Sequence, residues 1–354
     1  MSDHHLIPLT ANQPRHFYRG GENIGRFRGG PPPDDHRPED WVGSTTSRFG
    51  GGDTGLTVLP DGRSLRAVIA ADPDGWLGPE HVRRWGDSPA LLVKLLDAGQ
   101  RLPVHVHPSR EFARAHLGSA FGKTEAWLVV DVPGGGDDGG GGGGDGLVHL
   151  GFQEDVEPGV LREWVREQDG AAMLAALNPV AVRPGDSVLV PAGLPHAVGA
   201  GVFLVEVQEP TDFSIMLEWA GFSPDGADSD LRLGWDTAVA CVDGRARSAV
   251  EVAGLVRRPA ESPELTPGVR RVWPEGADPF FRAELVGDGA ELDASFAVLI
   301  VLSGAGELHC VGADAAVPLH AGHTVLVPYG AGAMTVHGGV EILRCLPPAS
   351  GVAS

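Results

Sequence analysis

Cysteine is scarce in this chain. Cys241, Cys310 and Cys345 are the three in 354 residues, far apart, odd in number and without a CxxC pattern. That excludes a disulfide framework and fits buried, reduced thiols in a cytosolic protein. Positive charge is also in short supply, with 27 Lys and Arg against 47 Asp and Glu and a net charge of −20. A surface this acidic repels nucleic acid and anionic membranes, so neither is expected as a partner. No run of roughly twenty apolar residues occurs, so no membrane span is expected. The first residues lack a basic-then-apolar leader, and a cytoplasmic location is the expectation.

Glycine and proline, by contrast, are abundant, with 52 Gly and 29 Pro in a chain that is 42% hydrophobic. Together with many short apolar runs they favour a β-rich fold with many turns. The length allows two domains.

The most informative stretch lies between Leu102 and Trp127. His105 and His107 are two residues apart in LLVKLLDAGQRLPVHVHP. On a strand, residues i and i+2 share a face, so both imidazoles can aim into one cavity. Glu125 opens a second apolar run. His196 follows a separate frame: Gly185, five residues, Pro191, one residue, Gly193, two residues, His196. Gly and Pro set a turn there, and SVLV supplies the strand before it. Neutral imidazoles plus one carboxylate suit Zn, Fe, Mn or Ni. His105, His107, Glu125 and His196 are therefore the expected metal ligands, and His105 could instead act as a base if it does not ligate.

The Gly-Pro-Gly-His frame resembles the second metal motif of the cupins, and HVHP with a later Glu resembles the first. Glu125 stands farther from the His pair than the short cupin spacing, which points to one cupin family. LLVKLLDAGQRLPVHVHP, GKTEAWLVVD and VPAGLPHAVGAGVFLVEVQE look like a type I phosphomannose isomerase. The resemblance runs from about Pro14 to about Pro347, most strongly over 91–131 and 183–209. It implies a mainly β chain of two jelly-roll barrels with a small helical insert. It also implies a divalent metal, most readily Zn2+, held by His107, Glu125 and His196. His105 stands where the family usually has Gln.

The same resemblance implies a sugar phosphate as substrate and an enediol route from mannose 6-phosphate to fructose 6-phosphate. Such a substrate needs local Lys or Arg against the acidic background. Lys123 shares a strand face with Glu125, and in the family this Lys lines the active site. Lys94 interrupts an apolar run, so it is either paired or functional, or else an edge lysine reaching solvent. Lys123, Lys94 and Glu209 are the expected catalytic residues, with Glu206 an equal candidate for proton transfer. The family carries an Arg in a segment resembling Ser-Asp-x-x-Tyr-Arg, and in PTDFSIMLEW that position is read here as Ile215. Another Arg could substitute, the substrate could differ, or isomerase activity could be lost. A non-catalytic sugar-binding or regulatory cupin and an iron dioxygenase are the alternatives.

Around this site the chain divides into an expected metal-binding domain over 1–240 and a C-terminal cupin without metal over 241–354. A helical insert is expected near 154–178, where Leu161, Trp164 and Val165, then Met173, Leu174 and Leu177, keep helical spacing. In the C-terminal half, Gly322, Pro328 and Gly330 repeat the frame, but the ligand position is Ala333. A polar connector with a short helix is expected over 222–246 and a β-rich block from about Val250. The Gly/Asp tract at 133–146 is expected to be a loop. It lacks the GK[ST] ending of a phosphate-binding loop.

Overall fold

The computed structural model describes residues 4–134, 146–223, 226–311 and 316–349. Most of the Gly/Asp tract therefore lies outside the described residues. The chain is mainly β, as expected. One sheet has six antiparallel strands in the order Val256–Arg257, Ser187–Val190, Glu125–Asp131, Phe203–Gln208, Leu92–Asp97 and Glu39–Val42. A second has five, in the order Ile215–Met216, His105–Val106, His196–Val198, Leu147–Phe152 and Leu177–Ala181.

Strand alternation sorts the side chains of these two sheets into three layers. Leu96, Trp127, Val129 and Leu204 of the six-stranded sheet meet Val148, Leu150 and Val198 of the five-stranded sheet in one buried cluster. That cluster forms the apolar part of the sandwich interior. Their sequence neighbours Val93, Leu95, Ala126, Leu128, Val205 and Val207 point the other way. They pack against Val298, Ile300, Leu326 and Leu343 of the C-terminal half and against Leu65, Ile69, Trp76 and Leu77. On the outside of the five-stranded sheet, Val104, Val106, Ala197, Ile215 and Leu217 are covered by Leu161, Val165 and Met173.

Those last three belong to the helical insert, which forms as helices Pro158–Glu167 and Gly170–Ala176. Asp169 caps the second by accepting from the Ala172 amide at 2.9 Å. The segment expected to be a connector is part of the same layer, since Leu231, Ala238, Val239 and Cys241 are buried in it. The block expected to be strand from Val250 instead begins with a helix, Ala249–Leu255. Ser248 and Glu251 form a reciprocal capping box at its start.

The C-terminal half is built on the long strand Ala297–Cys310, which pairs with Val317–His320, Thr324–Val327, Met334–His337 and Val340–Leu346. Leu299, Val301, Leu308, Leu319, Val336 and Ile342 fill its interior. The N-terminal strand Ile7–Pro8 adds to this half by pairing with Thr324–Val327, while Val256–Arg257 adds to the sheet that carries Glu125. Each half thus borrows a strand from across the chain. The repeated frame has a shared backbone requirement: Gly185 and Gly322 have φ of 86° and 84°. Only glycine adopts that conformation without strain.

Candidate metal centre

Two strands of the five-stranded sheet bring the imidazoles together. His105 is the direct antiparallel partner of His196. The ring centroids of His105 and His196 are 4.1 Å apart, those of His107 and His196 4.9 Å, and those of His105 and His107 5.0 Å. One ligand atom from each lies within 4.8 Å of the others, and all three residues are buried. Glu125 reaches the cluster from the facing sheet. Its Oε2 is 3.0 Å from His107 Nε2 and its Oε1 is 3.4 Å from His196 Nε2. Trp127, two residues on and on the same face, donates Nε1–H to Glu125 Oε1 at 3.0 Å.

Backbone carbonyls fix the tautomers. His105 Nδ1 donates to the Pro103 carbonyl at 2.8 Å, His107 Nδ1 to Phe213 at 2.9 Å and His196 Nδ1 to Leu194 at 2.8 Å. A carbonyl oxygen only accepts, so each Nδ1 carries the proton and each Nε2 keeps its lone pair. This is how metal-ligating histidines are usually oriented. Burial, and then the neighbouring His196 and His107, hold His105 well below its ordinary pKa. Burial and the Lys123 ammonium push His107 down to about 3. For Glu125 burial opposes ionisation, but Lys123 and His107 outweigh it and hold the carboxyl well below its usual range. The set is three imidazoles and a carboxylate; His196 Nε2 is buried without a hydrogen-bond partner, while Glu125 Oε2 has the Lys123 ammonium at 3.1 Å. Orphaned buried acceptors cost free energy unless something satisfies them. A divalent cation fits this donor set.

The cluster lies on a cavity of about 210 Å³ between the two sheets. Lys94, Lys123 and Glu206 line it beside His105 and Glu125. Lys94 is buried, not a lysine reaching solvent. Its Nζ is 3.2 Å from Glu39 Oε2 and 3.9 Å from Glu206 Oε1, and it lies over the Trp41 ring. Lys123 Nζ is 3.1 Å from Glu125 Oε2, 3.5 Å from Glu206 Oε1 and 3.2 Å from His107 Nε2. Burial is the main reason that the Glu206 carboxyl is pushed up to about 8, with nearby Glu125 adding to the rise. Lys94 and Lys123 oppose that shift.

Two expectations are corrected here. Glu209 does not line the cavity. It is fully buried beside it, where it accepts from Arg110 Nε and from the Thr124 amide. Of the two candidate carboxylates, Glu206 is the one that faces the site. Ile215 does not face it either. Its side chain belongs to the apolar layer under the helical insert, while Ser214 and Met216 line the cavity. Counting from Thr211-Asp212, the motif's final position falls on Met216, the strand partner of His105.

The sequence reading missed a second carboxylate centre. Glu39 Oε1 accepts from the Tyr18 hydroxyl, and Oε2 accepts from Trp41 Nε1 at 2.6 Å. His16 Nε2 is 3.3 Å from the same Oε2. Burial opposes the Glu39 charge, but His16 and Lys94 hold its carboxyl below the ordinary range. Glu39 with Trp41, and His16 with Tyr18, are each i, i+2 pairs, the same signal that exposed His105 and His107. Arg48 and Asp212 also line the cavity. The N-terminal arginines each have their own partner: Arg28 pairs with Asp40, Arg15 with Asp34, Arg19 with Gln100 and Arg26 with Asn23.

No family model matches the chain. Among curated proteins, mannose-6-phosphate isomerase of Bacillus subtilis is 32% identical over 138 residues, which cover 37% of this chain and 38% of that one. The enzyme of the same name from Streptococcus mutans is 30% identical over 163 residues, 44% of this chain and 47% of that one. The chain thus matches less than half the length of these relatives. In three dimensions, mannose 6-phosphate isomerase from Bacillus subtilis aligns over 96% of this chain and 99% of its own, with a TM-score of 0.72 and 20% identity. A variant of phosphomannose isomerase from Salmonella typhimurium aligns over 97% of this chain and 100% of its own, with a TM-score of 0.73 and 16% identity. The resemblance to the type I phosphomannose isomerases therefore holds in sequence over part of the chain and in fold over nearly all of it.

Proposed function

We propose that this protein is a metal-dependent aldose–ketose isomerase acting on a sugar phosphate, mannose 6-phosphate in the first instance. The observation that carries the reading is the set of three Nε2 lone pairs, each fixed by an Nδ1–H bond to a backbone carbonyl, facing the buried Glu125 carboxylate. His105, His107, Glu125 and His196 would hold a divalent cation, with Zn2+ the ion that the donor set suits best. That ion would supply polarisation of the sugar's carbonyl and adjacent hydroxyl.

The remaining work falls to the residues around it. Isomerisation moves a proton between C1 and C2 and leaves negative charge on oxygen in passing. Burial raises the Glu206 carboxyl above the ordinary carboxylate range, and its place on the cavity wall suits it to take and return a proton. Lys94 and Lys123 flank Glu206 and present fixed positive charge to the oxygens. The lining tryptophan Trp127 and the walls of the sandwich keep bulk water away from the reacting carbons. Described helices include none long and apolar enough to cross a membrane. Unpaired cysteines suit a reducing cytoplasm.

The test is direct. Purified protein supplied with Zn, Mn, Co or Fe is incubated with mannose 6-phosphate, and fructose 6-phosphate is measured. Conversion that needs the metal supports the reading. Absence of conversion with every metal, or metal-dependent oxygen uptake instead, rejects it.

A further inference from the structure

The cavity is short of usable positive charge. Glu39, Glu125, Glu206, Asp212 and Asp228 line it, against Lys94, Lys123 and Arg48. Both lysines sit at the reacting end: Lys94 lies between Glu39 and Glu206, and Lys123 between Glu125 and Glu206. Met216 adds no charge where the related enzymes' motif ends in Arg. Among the described residues that line the cavity, Arg48 is the cation that pairs with no carboxylate. The contact made by its guanidinium is one Nη1–H donated to the Arg15 carbonyl. Most of its five donors are left over.

Arg48 is also held in place. Its amide donates to the Thr54 carbonyl at 2.8 Å, which closes the loop. The next residue's amide, that of Phe49, donates to Asp212 Oδ2 at 3.0 Å and ties the loop to the cavity wall. Arg48 is half-buried, whereas His105, Glu125, Lys123 and Glu206 are buried, so it marks the solvent side of the same cavity. Phe17, Phe49 and Trp219 supply apolar lining.

We propose that Arg48 recognises the phosphate of the substrate. The inference rests on the reading above that the ligand is a sugar phosphate. In a hexose 6-phosphate the phosphate sits at the far end from C1 and C2. With the reacting carbons at the His105–Glu125–Glu206 end, the phosphate faces the outer cation. A guanidinium fork matches phosphate oxygens with two parallel hydrogen bonds, and a sugar ring between them has aromatic faces to lie against.

The test compares wild type with Arg48→Met and Arg48→Lys. Melting temperatures first establish that both variants fold. With mannose 6-phosphate, Arg48→Met should raise KM by about 10- to 100-fold, the scale of losing a charge-assisted hydrogen bond, with little change in kcat. The preference for mannose 6-phosphate over mannose in kcat/KM should fall by a similar factor, and Arg48→Lys should recover part of it. Calorimetric binding of inorganic phosphate should weaken in parallel. Unchanged KM and unchanged phosphate binding in Arg48→Met would overturn the inference. If wild type converts no sugar phosphate but loses phosphate binding on Arg48→Met, the anion site stands and the isomerase reading fails.

Discussion

His105 and His196 are cross-strand partners, 91 positions apart in the chain, with ring centroids 4.1 Å from each other. Their Nδ1 protons point to carbonyls of their own strands' approaches, Pro103 and Leu194. Each carbonyl lies two residues before its histidine, so the backbone leading into each strand builds its own orienting group. Removing metal should therefore leave the imidazoles in place. Chelation is expected to abolish activity, with near-full recovery on adding back the ion and no change in far-ultraviolet circular dichroism. Recovery that required unfolding and refolding would contradict this.

Glu206 and Glu209 are three residues apart and should respond oppositely. Glu206→Gln removes the proposed proton carrier, and kcat should fall by roughly 10²–10⁴-fold, the usual scale of general acid–base catalysis. Glu209→Gln strips the partner from the buried Arg110, whose Nε it accepts. Losing one side of a buried pair costs about 3–5 kcal/mol, so this variant should melt markedly earlier while its folded fraction keeps its kcat. Kinetics paired with thermal unfolding separates the two, and equal catalytic losses would reject the placement of Glu209.

Lys94 and Glu39 form a buried pair at 3.2 Å. Glu39→Gln leaves the ammonium with the more distant Glu206 oxygen at 3.9 Å. A stability loss of about 3–5 kcal/mol is expected in urea unfolding, and Glu39→Gln with Lys94→Met together should lose less than the sum of the single changes. Strict additivity would show that the two do not act as a pair.

Thiol reactivity tests the packing. Burial pushes the Cys241 thiol up to about 12 and raises Cys345 as well, whereas Cys310 is half-buried with a smaller rise. Thiolate is the reacting form, and it is scarce at pH 8 for a thiol titrating near 12. A disulfide reagent at pH 8 should modify Cys310 first and reach Cys241 and Cys345 only on unfolding. Rapid modification of Cys345 in the native protein would contradict the C-terminal packing.

Much of the centre could be read from the sequence because its signals are local. His105 and His107 declare themselves by strand alternation, and His196 by glycines and a proline whose spacing forces a turn. The contribution of the first fifty residues could not be read this way. His16, Tyr18, Glu39 and Arg48 reach the cavity through long-range packing, and although Glu39 with Trp41 and His16 with Tyr18 carry the i, i+2 signal, nothing in the sequence joins those segments to the distant site. Ile215 shows how narrow the margin is on a strand, where one position separates the cavity from the apolar layer. The helix at Ala249–Leu255 was marked by Ser248 and Glu251, yet its valines read as strand.

The most direct measurement is metal content per chain by elemental analysis, made on wild type and on His196→Ala after equal exposure to Zn2+ and gel filtration. About one tightly held ion per wild-type chain is expected, and close to none in His196→Ala with an unchanged circular dichroism spectrum. A wild-type chain that retains no ion, or a His196→Ala chain that retains as much as wild type, would contradict the account.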